Sequence, residues 1–250
     1  KPQGVTTASF LQSNIARKDF FTKYNHKIFG PETLTFNDDI AYVTGELVGD
    51  GYVASPLLME LAFGNNRQHA VTVQTICQKY MPEQWRLLEN HGSVSLKIDS
   101  VLARRHFENF GLRRSKAPHK ETPKAVFLSS APIVKSYLRG LFDSDGTIVL
   151  NTGRSRKNIR IRLGSSSLKL LRETQLLLAD LGIRSTIVRN TSRGKIVGKK
   201  GEGGKRYYSR WDSYVLNLVG FESYQKFCKE IGFLDSKKQE RARVYLREVA

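Results

Sequence analysis

Residues 138–146 read LRGLFDSDG, an apolar, helix-like run that closes on two acids and a glycine, with the strand-like TIVL directly behind it. Alone, an Asp-Gly pair is ordinary turn chemistry and decides nothing. This one has a twin. Residues 42–53 read YVTGELVGDGYV and residues 137–148 read YLRGLFDSDGTI, so Tyr42 matches Tyr137, Gly45 matches Gly140, Asp50 matches Asp145 and Gly51 matches Gly146. A repeat this far apart predicts two related halves, neither able to bury its seam alone.

The segments downstream of the two copies echo each other as well. Behind the second copy, TIVLNT and NIRIRLG read as strands and SSSLKLLRETQLLLADLG as a serine-capped helix stopped by Gly182. IRSTIVRN and WDSYVLNLVG read as strands around the basic loop GKIVGKKGEGGKR, and FESYQKFCKEIGF reads as a helix. In the first half, YVASPLLMELAF and QHAVTVQTI read as a hairpin around Gly64-Asn65-Asn66. A helix near PEQWRLLEN, the strand SVSLKID and a helix through VLARRHFENFG come next. The order predicts an α+β fold of two pseudo-symmetric αββαβ(β)α halves. Residues 1–35 form an N-terminal extension, 36–112 the first half, 113–136 a linker holding three of the seven prolines (118, 123 and 132), and 137–250 the second half.

Composition narrows the partner. Of 250 residues, 40% are apolar and 10% aromatic, which is enough for a packed core. Lys and Arg number 41 against 23 Asp and Glu, a formal net charge of +18. So large an excess repels itself in the folded state and points to a polyanion, with nucleic acid ahead of a membrane surface because no basic amphipathic helix has a bulky apolar face. Cys77 and Cys228 are far apart, and His26, His69, His91, His106 and His119 show no ligand spacing, so neither a disulfide framework nor a zinc cage is expected. No run has bilayer-spanning length and no signal peptide opens the chain at Lys1, so an intracellular protein acting at DNA is expected.

On a helix, Gly45 and Gly49, like Gly140 and Ser144, lie four apart on one face. Small residues at that spacing let two helices approach closer than the usual ~8–10 Å. Gly51 and Gly146 suit the left-handed position that ends a helix. Asp50 and Asp145 then stand at the C-terminal poles of two helices packed side by side. Two carboxylates at two negative poles repel unless cations lie between them. Hard divalent ions with oxygen ligands fit best, Mg²⁺ above all, with Mn²⁺ or Ca²⁺ able to take its place in binding. Such ions support in-line displacement at a phosphodiester.

The two stretches resemble the paired motifs of LAGLIDADG homing endonucleases, in the single-chain, two-motif form found in inteins and introns. The resemblance covers most of the chain from about Phe36. The second motif is the closer match. In the first, Val48 stands where the family name has an acid, while the last acid is present in both. The resemblance implies a meganuclease acting as a monomer with an internal pseudo-twofold axis, without a membrane or disulfide-linked partner. In that family two curved antiparallel sheets straddle the duplex, with the motif helices at their interface. A long asymmetric target would be cut on both strands by metal-dependent hydrolysis, leaving short 3′ overhangs. The metal would sit at Asp50 and Asp145, beside Gly49 and Ser144. GLRRSKAPHKETP resembles the stretch carrying the first half's active-site lysine, Lys120, with Lys116 the weaker choice. IGFLDSKK places the second at Lys238, with Lys237 close behind.

For DNA reading, period two puts Arg160 and Arg162 on one strand face, with Arg154 and Arg156 at the adjoining turn. Arg184 and Arg189 fall in the next strand region, and Tyr207, Ser209 and Arg210 lead into the last. In the first half the candidates are Met59, Asn65, Asn66, Arg67, Gln68 and Gln74. A ribbon of strands fits the major groove, so such side chains reach base edges or phosphates. The rival is a non-cleaving nucleic-acid binder of the same fold, an intron RNA maturase or a DNA-binding regulator. It predicts loss of an acid, and both are kept. The chain closes on Glu248-Val249-Ala250 rather than a His-Asn splice junction, so splicing is not expected.

Overall fold

A computed structural model describes residues 33–53, 58–81, 85–151, 158–190, 196–197, 207–208 and 211–249. The first half runs α1 (Asp38–Gly49), β1 (Gly51–Val53), β2 (Leu58–Ala62), α2 (Arg67–Gln78), β3 (Trp85–Asn90), β4 (Ser93–Asp99) and α3 (Val101–Asn109). A short helix, α4 (Lys124–Phe127), leads into the second: α5 (Ala131–Ser144), β5 (Gly146–Asn151), β6 (Asn158–Ser165), α6 (Leu168–Asp180) and β7 (Ser185–Asn190). A two-stranded ribbon comes after, β8 (Ile196–Val197) with β9 (Tyr207–Tyr208). Then come β10 (Ser213–Leu218), α7 (Phe221–Lys226) running into a π-turn at Phe227–Ile231, and α8 (Ser236–Val249).

The two four-stranded sheets share one topology. Their orders, β1-β2-β4-β3 and β5-β6-β10-β7, are the same when counted within each half, and all the pairings are antiparallel. Even the register repeats: Gly51 faces Leu61 and Gly146 faces Leu163. The fold is therefore α+β with two αββαββα halves. One face of each sheet is dry. Met59, Leu61, Trp85, Leu96 and Ile98 in the first, and Ile148, Ile159, Ile161, Leu163, Leu216 and Leu218 in the second, are buried. Helices α2 and α3 pack on the first sheet, α6 and α8 on the second. The alternate residues stay on the uncovered face, as period two requires.

Two elements of the first half differ from the sequence reading. QHAVTVQTI is not a strand of a hairpin but the body of α2. Asn66 caps it by accepting from the His69 N–H at 3.3 Å. The β-branched Val71, Thr72, Val73, Thr75 and Ile76 imitate a strand, yet the buried residues are His69, Ala70, Val73 and Cys77, one helical face. Conversely, WRLLEN is strand β3, paired with β4 across a turn where His91 and Gly92 take φ of 47° and 77°. That tight turn, with the alternating SVSLKID behind it, is what fixes the hairpin. Residues 1–32 of the expected extension and the core of the basic loop lie outside the described residues.

Candidate active site

Helices α1 and α5 form the seam between halves. They meet backbone to backbone: a Cβ at Gly45 would lie 2.2 Å from the Tyr137 carbonyl oxygen, and one at Gly140 only 2.1 Å from that of Tyr42. Gly49 faces Ser144, whose Oγ stands 1.8 Å from where a Cβ at 49 would be. Gly51 and Gly146 do not adopt the left-handed conformation expected of them, since neither has a positive φ. Their constraint is steric. A Cβ there would collide with the helix's own carbonyls, Leu47 at 2.1 Å and Phe142 at 2.3 Å, as the chain turns sharply from helix into strand.

The residues between those glycines and the helices are Asp50 and Asp145. Each is the C-cap of its helix, its N–H donating to the Glu46 carbonyl at 3.0 Å or the Leu141 carbonyl at 3.2 Å. Burial, and next the Asp50 carboxylate, push the Asp145 carboxyl up to about 6. Burial also raises Asp50, against the pull of Lys120 and Lys238. Both lysines reach these poles. The Lys120 amine donates to the Gly49 carbonyl, and Lys238 donates to the carbonyls of Phe142, at 3.0 Å, and Asp143. Burial lowers the Lys238 pKa although Asp143, Asp235, Glu46 and Asp50 all oppose it. Lys116 and Lys237 are both exposed, whereas the amines of Lys120 and Lys238 turn to the helix ends. Lys116 joins Arg113, Arg114 and Lys120 in a basic cleft beside Gly51. Two mutually repelling carboxylates with backbone carbonyls at two negative helix poles match the oxygen-donor chemistry of a hard divalent cation.

One turn deeper lies a cluster that the sequence reading missed. The Tyr42 hydroxyl sits 2.8 Å from Glu46 Oε1 and 2.9 Å from Asp143 Oδ2, and His69 Nε2 is 2.9 Å from Glu46 Oε1. All four residues are buried. A phenol has one proton, so the Tyr42 hydroxyl can donate to only one of the two carboxylates at a time. Burial and then Glu46 push Asp143 up to about 6. The hydrogen bond to Glu46 and the charges of Glu46, Asp143 and Asp235 outweigh burial and raise His69. Donor atoms of Glu46, His69 and Asp143 fall within 4.8 Å of one another, a spacing open to a metal ion. Asp143, however, already accepts from Tyr42 and from the N–H groups of Leu234 and Asp235. The signal for this cluster was the disagreement between the twin motifs, where Glu46 answers to Leu141 and Val48 to Asp143. His69 was hidden because its helix imitates a strand.

Among the candidate DNA contacts, Arg160 and Arg162 stand on the uncovered face of β6, opposite Val149 and Thr147, with Ile159, Ile161 and Leu163 buried beneath. Asn217 faces Arg162 from β10. The other described candidates lie elsewhere. Arg189 shares its face with Ile187, the helix side, and is bound to Asp212 at 2.5 Å. Arg184 precedes β7, 3.9 Å from Glu222. Asn65, Arg67, Gln68 and Gln74 are on the turn and helix α2 rather than on a strand. Arg67 pairs with Glu89 at 2.6 Å, Gln68 accepts from Ser236 at 3.2 Å, and Gln74 donates to the Trp85 carbonyl at 3.0 Å. Asn66 is a helix cap and Met59 is core. The uncovered face of the first sheet instead presents Glu60, Arg86, Ser95 and Lys97. Arg154, Arg156, Ser209 and Arg210 lie outside the described residues, as does the side chain of Tyr207.

Residues 132–232 match the family model described as a LAGLIDADG-like domain. Among solved structures, the chain is similar to I-DmoI in complex with DNA and Ca, with a TM-score of 0.55 at 16% identity over 84% of this chain and 98% of that one. It is also similar to I-WcaI bound to its DNA recognition sequence, with a TM-score of 0.52 at 13% identity over 93% and 97%. The curated relatives are longer proteins. The NrdEB subunit alpha of ribonucleoside-diphosphate reductase from Bacillus subtilis is 25% identical over 202 residues, 76% of this chain but 18% of that protein. The replicative DNA helicase DnaB of Synechocystis is 26% identical over 221 residues, 81% and 23%. The chain thus spans about a fifth of relatives whose names describe unrelated chemistries, and what they share with it is a module.

The fold is similar to that of the solved I-DmoI and I-WcaI structures, and here it consists of two sheet-bearing halves joined by a seam of paired helices. More narrowly, most of the second half matches a LAGLIDADG-like domain, and the first half repeats its motif and its sheet topology.

Proposed function

We propose that the protein is a site-specific endonuclease that cuts both strands of a long, asymmetric DNA target by divalent-metal-dependent phosphodiester hydrolysis, Mg²⁺ being the expected ion. The observation that supports it most is the meeting of Asp50 and Asp145 at two helix poles, each pole also touched by a lysine. Solved structures of I-DmoI with DNA and Mn, and with DNA and Ca, fit the same reading.

Asp50 and Asp145, with the Gly49 and Ser144 carbonyls beside them, would hold the metal. When bound, it polarises the phosphate and lowers the pKa of attacking water. The chain supplies the rest. The two carboxylates fix where the phosphate lies, because their helices cannot slide past the glycine contacts. Lys120 and Lys238 now neutralise helix-end carbonyls, and turned toward a phosphate they would offset charge developing on it. Burial makes Lys238 readier to give up its proton than an ordinary lysine. Arg160 and Arg162 would hold the duplex against the second sheet. One chain with unlike halves reads unlike half-sites, so no second copy is needed.

The test is cleavage of a randomised-site plasmid library with Mg²⁺ or with EDTA, comparing the parent with Asp50→Asn and Asp145→Asn. Magnesium-dependent double-strand cuts at one long site, lost in both variants, are expected. Binding without cutting by the parent would favour a regulator or maturase of the same fold. Undiminished cutting by the variants would remove the assigned site.

A further inference from the structure

The buried cluster beneath the aspartates occurs on one side of the pseudo-twofold axis only. Aligning the motifs sets Glu46 against Leu141 and Asp143 against Val48. Counting from the helix caps Asn66 and Ser167 sets His69 against Leu170. The mirror positions Val48, Leu141 and Leu170 are all apolar and buried. A polar cluster buried in a helix seam is costly unless it fixes something that apolar packing cannot.

What it fixes is the approach to one lysine. Asp143 Oδ2 accepts from the Leu234 N–H at 2.8 Å, and Oδ1 from the Asp235 N–H at 3.2 Å. Asp235 in turn accepts from the Lys238 N–H at 2.8 Å, setting the first turn of α8. The Lys238 amine then returns to the carbonyls of Phe142 and Asp143. This closed loop ties lysine, helix start and motif helix together, and its anchor, Asp143, is held from the first half by Tyr42. The Lys120 segment is held differently. Ser167 Oγ donates to the Lys120 carbonyl at 2.6 Å and the Thr122 N–H donates to Glu173 at 2.7 Å, with no carboxylate of a motif helix involved.

We propose that Asp143, held by Tyr42, Glu46 and His69 of the first half, is a positioning residue for Lys238, so that this cluster governs cutting of one DNA strand and not the other. The proposal rests on the endonuclease reading of the site. It makes the halves unequal in chemistry as well as in DNA reading. The strand served by Lys238 depends on a hydrogen-bonded lock across the seam, and the strand served by Lys120 does not.

The experiment uses a duplex carrying the identified target with a different fluorophore on each strand. Tyr42→Phe removes one hydroxyl and keeps the ring, and Asp143→Asn keeps the shape of the anchor. Tyr137→Phe, at the mirror position, is the control. With Mg²⁺, both seam variants should slow one strand by about tenfold or more while the other stays within about twofold, so that nicked DNA accumulates. DNA affinity should change little in Tyr42→Phe, its melting temperature should fall by no more than about ten degrees, and Tyr137→Phe should leave the strand ratio at the parent value. Equal slowing of both strands would reduce the cluster to general stability and overturn the proposal, as would no slowing. Amide hydrogen exchange of the metal-free protein separates this from failure of the nuclease reading. Tyr42→Phe should speed exchange at residues 234–235 about tenfold and leave residues 119–122 unchanged. If the parent cuts nothing but exchange responds in that way, the endonuclease reading fails and the lock stands. Unchanged exchange overturns the lock.

Discussion

Asp145 keeps its proton in the folded chain up to about 6, against an ordinary 3.8, because burial and Asp50 both disfavour its charge. The folded state therefore binds more protons than the unfolded one between those values, and stability falls as pH rises across that window. Above it, the metal-free protein bears the full penalty. Asp145→Asn should raise the melting temperature at pH 8 in EDTA by a few degrees, and the gain should vanish near pH 4, where the parent is neutral there too. Calorimetry across pH reads this directly, and a gap independent of pH would mean the carboxylate is not strained. Mg²⁺ should stabilise the parent at pH 8 more than at pH 5 and have little effect on Asp145→Asn. For the lysines, Lys120→Met and Lys238→Met should each lower the single-turnover cutting rate by about a hundredfold, with DNA affinity held within a few-fold, if their amines act on developing charge. These two positions were legible in the sequence only by likeness to a family. Nothing in a run of basic residues says which one turns inward.

The helix pair α1 and α5 illustrates what spacing can and cannot reveal. Gly45 and Gly140 each oppose a carbonyl oxygen across the seam at a distance no Cβ tolerates. Gly45→Ala or Gly140→Ala should cost about 3 kcal/mol or more, since backbone cannot yield as a side chain can. The lost stability is measurable by urea denaturation. Gly49 and Ser144 make a subtler pair, because only one side chain fits between them. Gly49→Ser alone should destabilise, and Gly49→Ser combined with Ser144→Gly should recover most of the loss. Small-residue spacing was readable because it arises from sterics along one helix. Helix α2 was not, because its β-branched residues mimic a strand and its identity comes from an Asn cap and from the sheet that it covers. With α2 misread, the DNA-reading set of the first half was placed on the wrong element.

The net charge of +18 acts on the molecule as a whole and not through any one contact. Affinity for DNA should fall steeply with salt, because each neutralised phosphate releases counterions. Arg160→Ala and Arg162→Ala should each flatten the plot of log affinity against log salt by about one unit if they meet phosphates, or relax sequence preference at one position if they meet bases. Arg189→Ala should do neither, since Asp212 already occupies that guanidinium. A filter-binding salt series on the three variants separates these outcomes.

The chain's repeat and its paired small residues were enough to foretell two halves, a helix seam and facing carboxylates, and its excess of positive charge points toward an anionic partner. Each of these comes from local geometry or from summed charge, and both survive without knowing where distant residues lie. The direction in which Arg189 points, the helical state of residues 67–78 and the lock formed by Tyr42, Glu46, His69 and Asp143 do not. They depend on which surfaces become buried when the halves close, and burial is a property of the assembled core. A hydroxyl and a carboxylate 101 positions apart meet at 2.9 Å only because two glycine-lined helices touch.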